Sequence, residues 1–324
     1  AGSGKTRVLT TRIAWLLSTG QVSPGGVMAV TFTNKAAKEM LTRLTSMLPV
    51  NVRGMWIGTF HGLCNRFLRA HWKLAGLPQG FQILDASDQV AAVKRVVKAM
   101  ALDEERYPPK QAAYFISSSK EEGLRPQNID APDPHTAKLI EVYAAYEAQC
   151  QREGVVDFGE LMLRCYELMR DNDAVREHYR RRFAHVLVDE FQDTNKLQYK
   201  WLQMFAPPEQ PKGVFAVGDD DQSIYAFRGA QVGNMADFER EYRVPQVIKL
   251  EQNYRSYAHI LDAANALIAH NTKRLGKNLR TDAGSGEPVR VFEATSDYAE
   301  AQWLLDEAQQ LHRGGMARSQ VAIL

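Results

Sequence analysis

Two short stretches far apart in the chain carry residue types that could handle a phosphate. Gly4-Lys5-Thr6 matches the tail of the phosphate-cradling pattern G-x-x-x-x-G-K-[ST]. Small residues at Gly2, Ser3 and Gly4 let backbone N–H groups close on phosphate oxygens. Lys5 would reach the β- and γ-phosphates, and Thr6 would hold magnesium. The second stretch is Val186-Leu187-Val188 followed by Asp189-Glu190. A run of three apolar residues suits a buried parallel strand. In an open α/β sheet, ligands sit beyond the carboxyl ends of the strands. Of the two carboxylates, one can hold a divalent metal and the other can take a proton from an attacking water. Each stretch also has a plainer reading: a Gly-rich turn before a helix, and a strand followed by an acidic turn.

The elements needed to bring these residues together are legible along the chain. A helix is expected from Thr6 to about Leu17, with its positive N-terminal end at the same anion. Strands are expected at Val27–Val30, Met55–Ile57, Val186–Val188, Gly213–Val217 and Val247–Leu250. Each ends in a polar cluster, and helices separate them, which predicts a doubly wound α/β fold with a parallel sheet. Asn34 is expected to cap the helix that follows the first strand. From Phe60 to Arg182 helical periodicity dominates, so an all-helical insertion is expected between strands of one sheet. Asp157 with Glu160 resembles a capping box. The basic residues Lys94, Arg95, Lys98, Lys110, Lys120 and Arg125 are expected mostly on solvated faces, with some free to meet a phosphate backbone. From Tyr257 the pattern restarts: a helix to about Ala269, a basic turn at Lys273–Lys277, a strand at Val289–Phe292, a helix at Tyr298–His312 and a strand at Val321.

At 324 residues the chain is long enough for about two domains. A net charge of +2 neither demands nor excludes nucleic acid, so any such face must be a local patch. Three cysteines without metal spacing suggest reduced thiols and a cytoplasmic setting. No apolar run approaches membrane-spanning length. The chain opens inside a motif and closes on what reads as a strand just starting, so it is expected to be a piece of a longer protein.

Six ordered stretches carry a family match: residues 2–7 (GSGKTR), 31–36 (TFTNKA), 58–62 (GTFHG), 189–193 (DEFQD), 218–225 (GDDDQSIY) and 252–256 (QNYRS). Together they resemble the UvrD/Rep/PcrA family of superfamily 1 DNA helicases, with the UvrD branch nearest, over essentially the whole chain. The resemblance implies a RecA-like P-loop NTPase domain at 1–59 and 183–250, a helical subdomain at 60–182, and the beginning of a second RecA-like domain at 251–324. It implies Lys5 on the phosphates, Thr6 and Asp189 on Mg2+, and Arg7 and Tyr254 stacked on the adenine of ATP. By the same match Glu190 is the base that activates water, Gln222 the γ-phosphate sensor and Arg255 an arginine finger. Phe32, Thr33, Asn34 and His61 match positions that touch single-stranded DNA. Tyr225, Phe227 and Arg228 match a base-stacking segment. Phe227 stands where the family usually has tryptophan, which keeps a stacking face but offers less area and no N–H.

The implied activity is ATP-driven 3′→5′ translocation and unwinding, with DNA junctions and repair proteins as partners. The implied setting is excision and mismatch repair and replication. The intact protein is expected to unwind, and residues 1–324 alone are not. A Rep- or PcrA-like replication helicase and the helicase part of a nuclease are the near alternatives. A P-loop kinase or a DNA-binding module without catalysis would use only part of this residue set.

Overall fold

The computed structural model describes residues 2–49, 51–52, 54–210, 212–223, 233–271, 274 and 276–324. It divides into two compact units. One comprises Ala1–Arg255 with Asn271–Asn278, and the other Ser256–His270 with Leu279–Leu324.

In the first unit, helix α1 (Lys5–Ser18) leads to strand β1 (Val27–Thr31), helix α2 (Asn34–Met47), strand β2 (Trp56–Thr59) and helix α3 (Phe60–Ala70). A two-stranded ribbon, β3 (Gln82–Ile83) with β4 (Val155–Val156), brackets α4 (Ala86–Ala99), α5 (Pro109–Glu121) and α6 (Pro134–Glu153). Then come α7 (Phe158–Asp171), α8 (Asp173–Arg182), β5 (His185–Val188), α9 (Lys196–Phe205), β6 (Gly213–Ala216) and α10 (Gly233–Glu241). The main sheet is parallel with order β2-β1-β5-β6.

All five residues of β1 are buried. Successive strand side chains point to opposite faces, and β1 serves a different core with each. Val27 and Ala29 join Leu9 and Ile13 of α1, Met40 and Leu44 of α2, and Leu187. Met28 and Val30 join Phe60 and Phe67 of α3, Leu161 and Cys165 of α7, Trp201 and Phe205 of α9, and Val186 and Val188. A strand covered on both faces must be apolar throughout, which is why it reads as a continuous run.

Helices α4, α5 and α6 enclose a separate core of Val93, Val97, Ile116, Val142, Tyr143 and Tyr146. Helices α3, α7 and α8 lie in the same helical stretch of sequence, but their apolar faces belong to the sheet's core. Lys120 and Arg125 depart from the solvated faces expected for them. Lys120 is 2% exposed and reaches Asp157 at 2.8 Å and Glu160 at 3.0 Å. Arg125 bonds Glu147, Glu160 and Glu167. The partners come from α6 and α7, so one cation ties three elements together. Asp157 caps α7 through the Glu160 N–H at 2.7 Å. The reciprocal half of a capping box is absent, because the Glu160 carboxylate is taken by Lys120, Arg125 and Arg164.

In the second unit, α11 (Ala258–Ile268) and α12 (Asp297–Arg313) are the helices the periodicity predicts. Phe292 stacks on Trp303 with centroids 4.5 Å apart. The strands expected at Val247–Leu250, Val289–Phe292 and Val321 do not form among the described residues. A strand is defined by its neighbour's hydrogen bonds, and among the described residues these segments join neither sheet. The three cysteines are free and buried. Among the described residues no helix is long and apolar enough to cross a membrane.

Candidate nucleotide site and adjoining strand ends

The register Val30↔Val188↔Ala216 aligns the carboxyl ends of β1, β5 and β6. Beyond β5 the chain continues with Asp189, whose N–H bonds Val30 O at 2.9 Å. Beyond β6 it continues to Asp219, whose N–H donates to Gln192 Oε1 at 2.8 Å. Both carboxylates are buried, 2% and 4% exposed.

Helix α1 starts against these two strand ends. Its N-cap is Gly4, at φ 84° and ψ 17°, with no side chain to close the first turn. The backbone thus presents its amide groups and the positive end of the helix dipole. The Thr6 hydroxyl donates to Asp189 Oδ2 at 3.0 Å, and Lys5 Nζ donates to Asp219 Oδ2 at 3.2 Å. Lys5 and Asp189 therefore share one site although 184 positions of sequence separate them. Burial pushes the Asp189 carboxyl above the usual carboxylate range, and the neighbouring Glu190 charge adds to this; Thr6 and Lys5 draw it back. Burial alone would raise Asp219 as well, but Lys277 and Lys5 hold it well below that range.

Glu190 sits in the left-handed region, φ 51° and ψ 44°. A residue with a Cβ is held there at a cost of about 1–2 kcal/mol, and such strain gathers at functional sites. Gln192 holds the turn. It is 1% exposed, and its Nε2 donates to Glu190 Oε2 at 3.0 Å while its Oε1 receives the Asp219 amide. One amide side chain thus couples the two strand ends. The sequence reading gave Gln192 no role of its own; its signal was a buried amide two positions past the acidic pair. Gln222 Nε2 donates to Asp219 Oδ2. Burial and Glu190 push Asp193 up to about 6.

The segment Gln252–Arg255 lies on the glycine loop. Tyr254 N–H donates to Gly2 O at 2.9 Å. A Cβ built on Gly2, which has φ +75°, would stand 2.7 Å from Arg255 Cβ and 2.9 Å from Asn253 Nδ2. Only glycine allows this approach. Arg7, Tyr254 and Arg255 are all exposed, and Arg255 belongs to the first unit.

A sequence-family model described as the UvrD/REP helicase N-terminal domain matches residues 1–243, and one described as the UvrD-like helicase C-terminal domain matches 248–324. The chain belongs to the UvrD/REP helicase family. DNA helicase II of Salmonella typhimurium is 51% identical over the whole chain, and that of Escherichia coli 50%. The ATP-dependent DNA helicase PcrA of a Staphylococcus epidermidis strain is 40% identical, also over the whole chain. The chain spans 44–45% of the length of these relatives.

A second group of residues marked by the UvrD/REP resemblance gathers at the other side of the sheet. Strands β1 and β2 are neighbours in register Thr31↔Thr59, so the segments after them emerge side by side. Phe32 is half-buried and meets Phe60 edge-on at 5.3 Å. His61 opens α3 beside Phe158, centroids 5.7 Å apart, and burial lowers its pKa. Thr33 and Asn34 are exposed. Thr33, not Asn34, caps α2: its hydroxyl accepts the Ala36 N–H at 3.1 Å. Both residue types make good caps, and the extended backbone at Thr33 decides between them. Tyr225, Phe227 and Arg228 lie outside the described residues.

Proposed function

We propose that this chain carries the ATP-hydrolysing part of a DNA helicase that translocates 3′→5′ on single-stranded DNA. The observation that supports this best is the convergence of Lys5 and Thr6 with Asp219 and Asp189, which builds a polar site at the strand ends. In this reading Gly2, Ser3 and Gly4 surround the phosphates with backbone amides, and Lys5 exchanges Asp219 for a phosphate oxygen. Arg7 and Tyr254 are free to flank a base. Gln222 moves from Asp219 to the terminal phosphate, and Arg255, beside Gly2, meets the charge that develops there.

Magnesium fits the residues present. Thr6 Oγ1 and Asp189 Oδ2 are hard oxygen donors 3.0 Å apart. Adjacent corners of an octahedron with bonds of about 2.1 Å are separated by about 3 Å. When bound, Mg2+ neutralises charge on the phosphate oxygens. The protein's own proton step belongs to Glu190, which Gln192 orients and which takes a proton from water.

Phe32, Thr33, Asn34 and His61 would hold DNA one strand over from the nucleotide. A sheet with one ligand beyond β5 and β6 and the other beyond β1 and β2 gives each a rigid path to its neighbour. We assign Tyr225, Phe227 and Arg228 to base stacking, which tolerates any sequence. The limits 1–59 with 183–250, 60–182 and 251–324 for the RecA-like, helical and second RecA-like parts belong to the same proposal. So do action at DNA junctions and a place in repair and replication.

The test is ATP hydrolysis with and without single-stranded DNA, on the wild type and Glu190→Gln. The expected result is DNA-stimulated turnover that falls roughly 10²–10⁴-fold in the variant, with nucleotide binding retained. Near-normal turnover removes Glu190 from the base role, and hydrolysis indifferent to DNA removes the helicase reading.

A further inference from the structure

Residues 271–278 follow α11 in the chain but belong to the first unit. Two cations of this segment meet the three carboxylates that follow β6. Arg274 binds Asp221 with both arms, at 2.9 and 2.7 Å. Lys277 Nζ bonds Asp219 Oδ1 and stands 3.1 Å from Asp221 and 3.4 Å from Asp220. The segment is braced from elsewhere: Arg274 also donates to Lys277 O at 2.7 Å, Lys249 to Gly276 O at 2.7 Å, and Asn278 N–H to Glu251 at 3.1 Å. The three carboxylate groups lie close enough to hold a cation of their own. Among the described residues, Lys5, Lys277 and Arg274 already lie against these carboxylates.

Asp219 is held by a lysine at each oxygen. Lys5 takes Oδ2 and Lys277 takes Oδ1. Both lysines are largely buried, 12% and 15% exposed. In the function proposed above, Lys5 must leave Asp219 to reach a phosphate. Taking a cation away from a buried carboxylate is unfavourable. With Lys277 still on the opposite oxygen, the departure of Lys5 leaves the carboxylate compensated.

We infer that Lys277 is a positioning residue for the nucleotide site: it neutralises Asp219 so that Lys5 is released to the phosphates. The inference rests on the phosphate role of Lys5. Without Lys277, Asp219 carries one cation fewer and holds Lys5 more tightly, so nucleotide would compete against a stronger internal ion pair. The lysine acts through Asp219 and does not touch the nucleotide.

The experiment measures binding of a non-hydrolysable ATP analogue with Mg2+, and KM and kcat for ATP, on the whole chain. Binding by the wild type is measured first; its absence defeats the phosphate role of Lys5 and the inference with it. Lys277→Met is expected to weaken binding roughly ten- to a hundred-fold, the worth of a charge-assisted hydrogen bond. The loss should fall on KM rather than on kcat. Lys277→Arg should restore most of it, and Lys277→Gln should behave as Lys277→Met does. In an Asp219→Asn background, where no charge holds Lys5, Lys277→Met should have little further effect. Unchanged affinity in Lys277→Met and Lys277→Gln, with the wild type binding normally, overturns the inference while leaving the proposed function standing. An equal loss in the Asp219→Asn background overturns it too, because the effect would then not pass through Asp219.

Discussion

Lys120→Met tests whether the buried charge cluster between α5 and α7 holds the helical part together. In the wild type, Lys120 Nζ lies 2.8 Å from Asp157 and 3.0 Å from Glu160. Removing the ammonium affects the two carboxylates unequally. Glu160 keeps Arg125, at 2.8 and 3.0 Å, and Arg164 at 2.6 Å. Among the described residues, Asp157 keeps only neutral donors: Tyr146 O–H at 2.8 Å, Gln89 Nε2 at 3.3 Å and the Glu160 N–H at 2.7 Å. Methionine retains the apolar stem that packs over Gly159, so the change isolates the charge. Leaving a carboxylate buried without its cation costs about 3–5 kcal/mol. Adding Asp157→Asn removes that charge while keeping Oδ1 as the α7 cap, so the double variant should regain most of the loss. Urea unfolding followed by helical circular dichroism gives the totals, and amide exchange in α4–α6 locates them, since this cluster can open by itself. A single variant within about 0.5 kcal/mol of wild type, a routine surface effect, refutes the reasoning. So does a double variant no more stable than the single one.

Two further outcomes follow from the geometry. Gly2→Ala should cut nucleotide binding and hydrolysis while leaving the sheet core intact, because its Cβ collides with Arg255 Cβ at 2.7 Å in a left-handed backbone; steady-state kinetics with a melting curve checks both. Acid should weaken the fold through Glu160. Burial alone would raise its pKa, but Lys120, Arg125 and Arg164 hold its carboxyl well below the usual range. A depressed carboxyl contributes stability that is complete above its unfolded pKa, about 4.3, and is lost as the pH falls toward the folded value. Melting temperatures between about pH 3 and 6 should drop on the acid side, and Glu160→Gln should flatten that slope from a lower starting stability.

The strands that carry the site were legible because burial on both faces makes each a short apolar run, as in Val27–Val30 and Val186–Val188. Asp189 and Glu190 stood out because they break such a run abruptly. The apolar stretches at Val247–Leu250 and Val289–Phe292 looked the same and formed no ladder, since pairing depends on a neighbour that local sequence does not name. The burial of Lys120 and Arg125, in a group of basic residues expected mostly on solvated faces, escapes the sequence for a similar reason. Their carboxylates lie on other helices, with Asp157 and Glu167 about 40 positions away. Nothing near Lys277 in sequence pointed to Asp219. The motif resemblance supplied what periodicity could not, namely which polar clusters were worth placing together; Gln192 lay inside one such motif, yet its bridging role emerged only from coordinates.

The register that aligns Val30 with Val188 also orders events during synthesis. Strand β1 leaves the ribosome long before β5, its central neighbour, exists. Closing so long a loop costs little extra equilibrium free energy, because the penalty grows only logarithmically with length, yet non-local pairing of this kind slows assembly. Helices α4–α6 have a local core and can condense meanwhile. The first two strands must wait with the face that α7 and α9 complete still open, which makes the half-made chain, rather than the finished one, the species most in need of a chaperone.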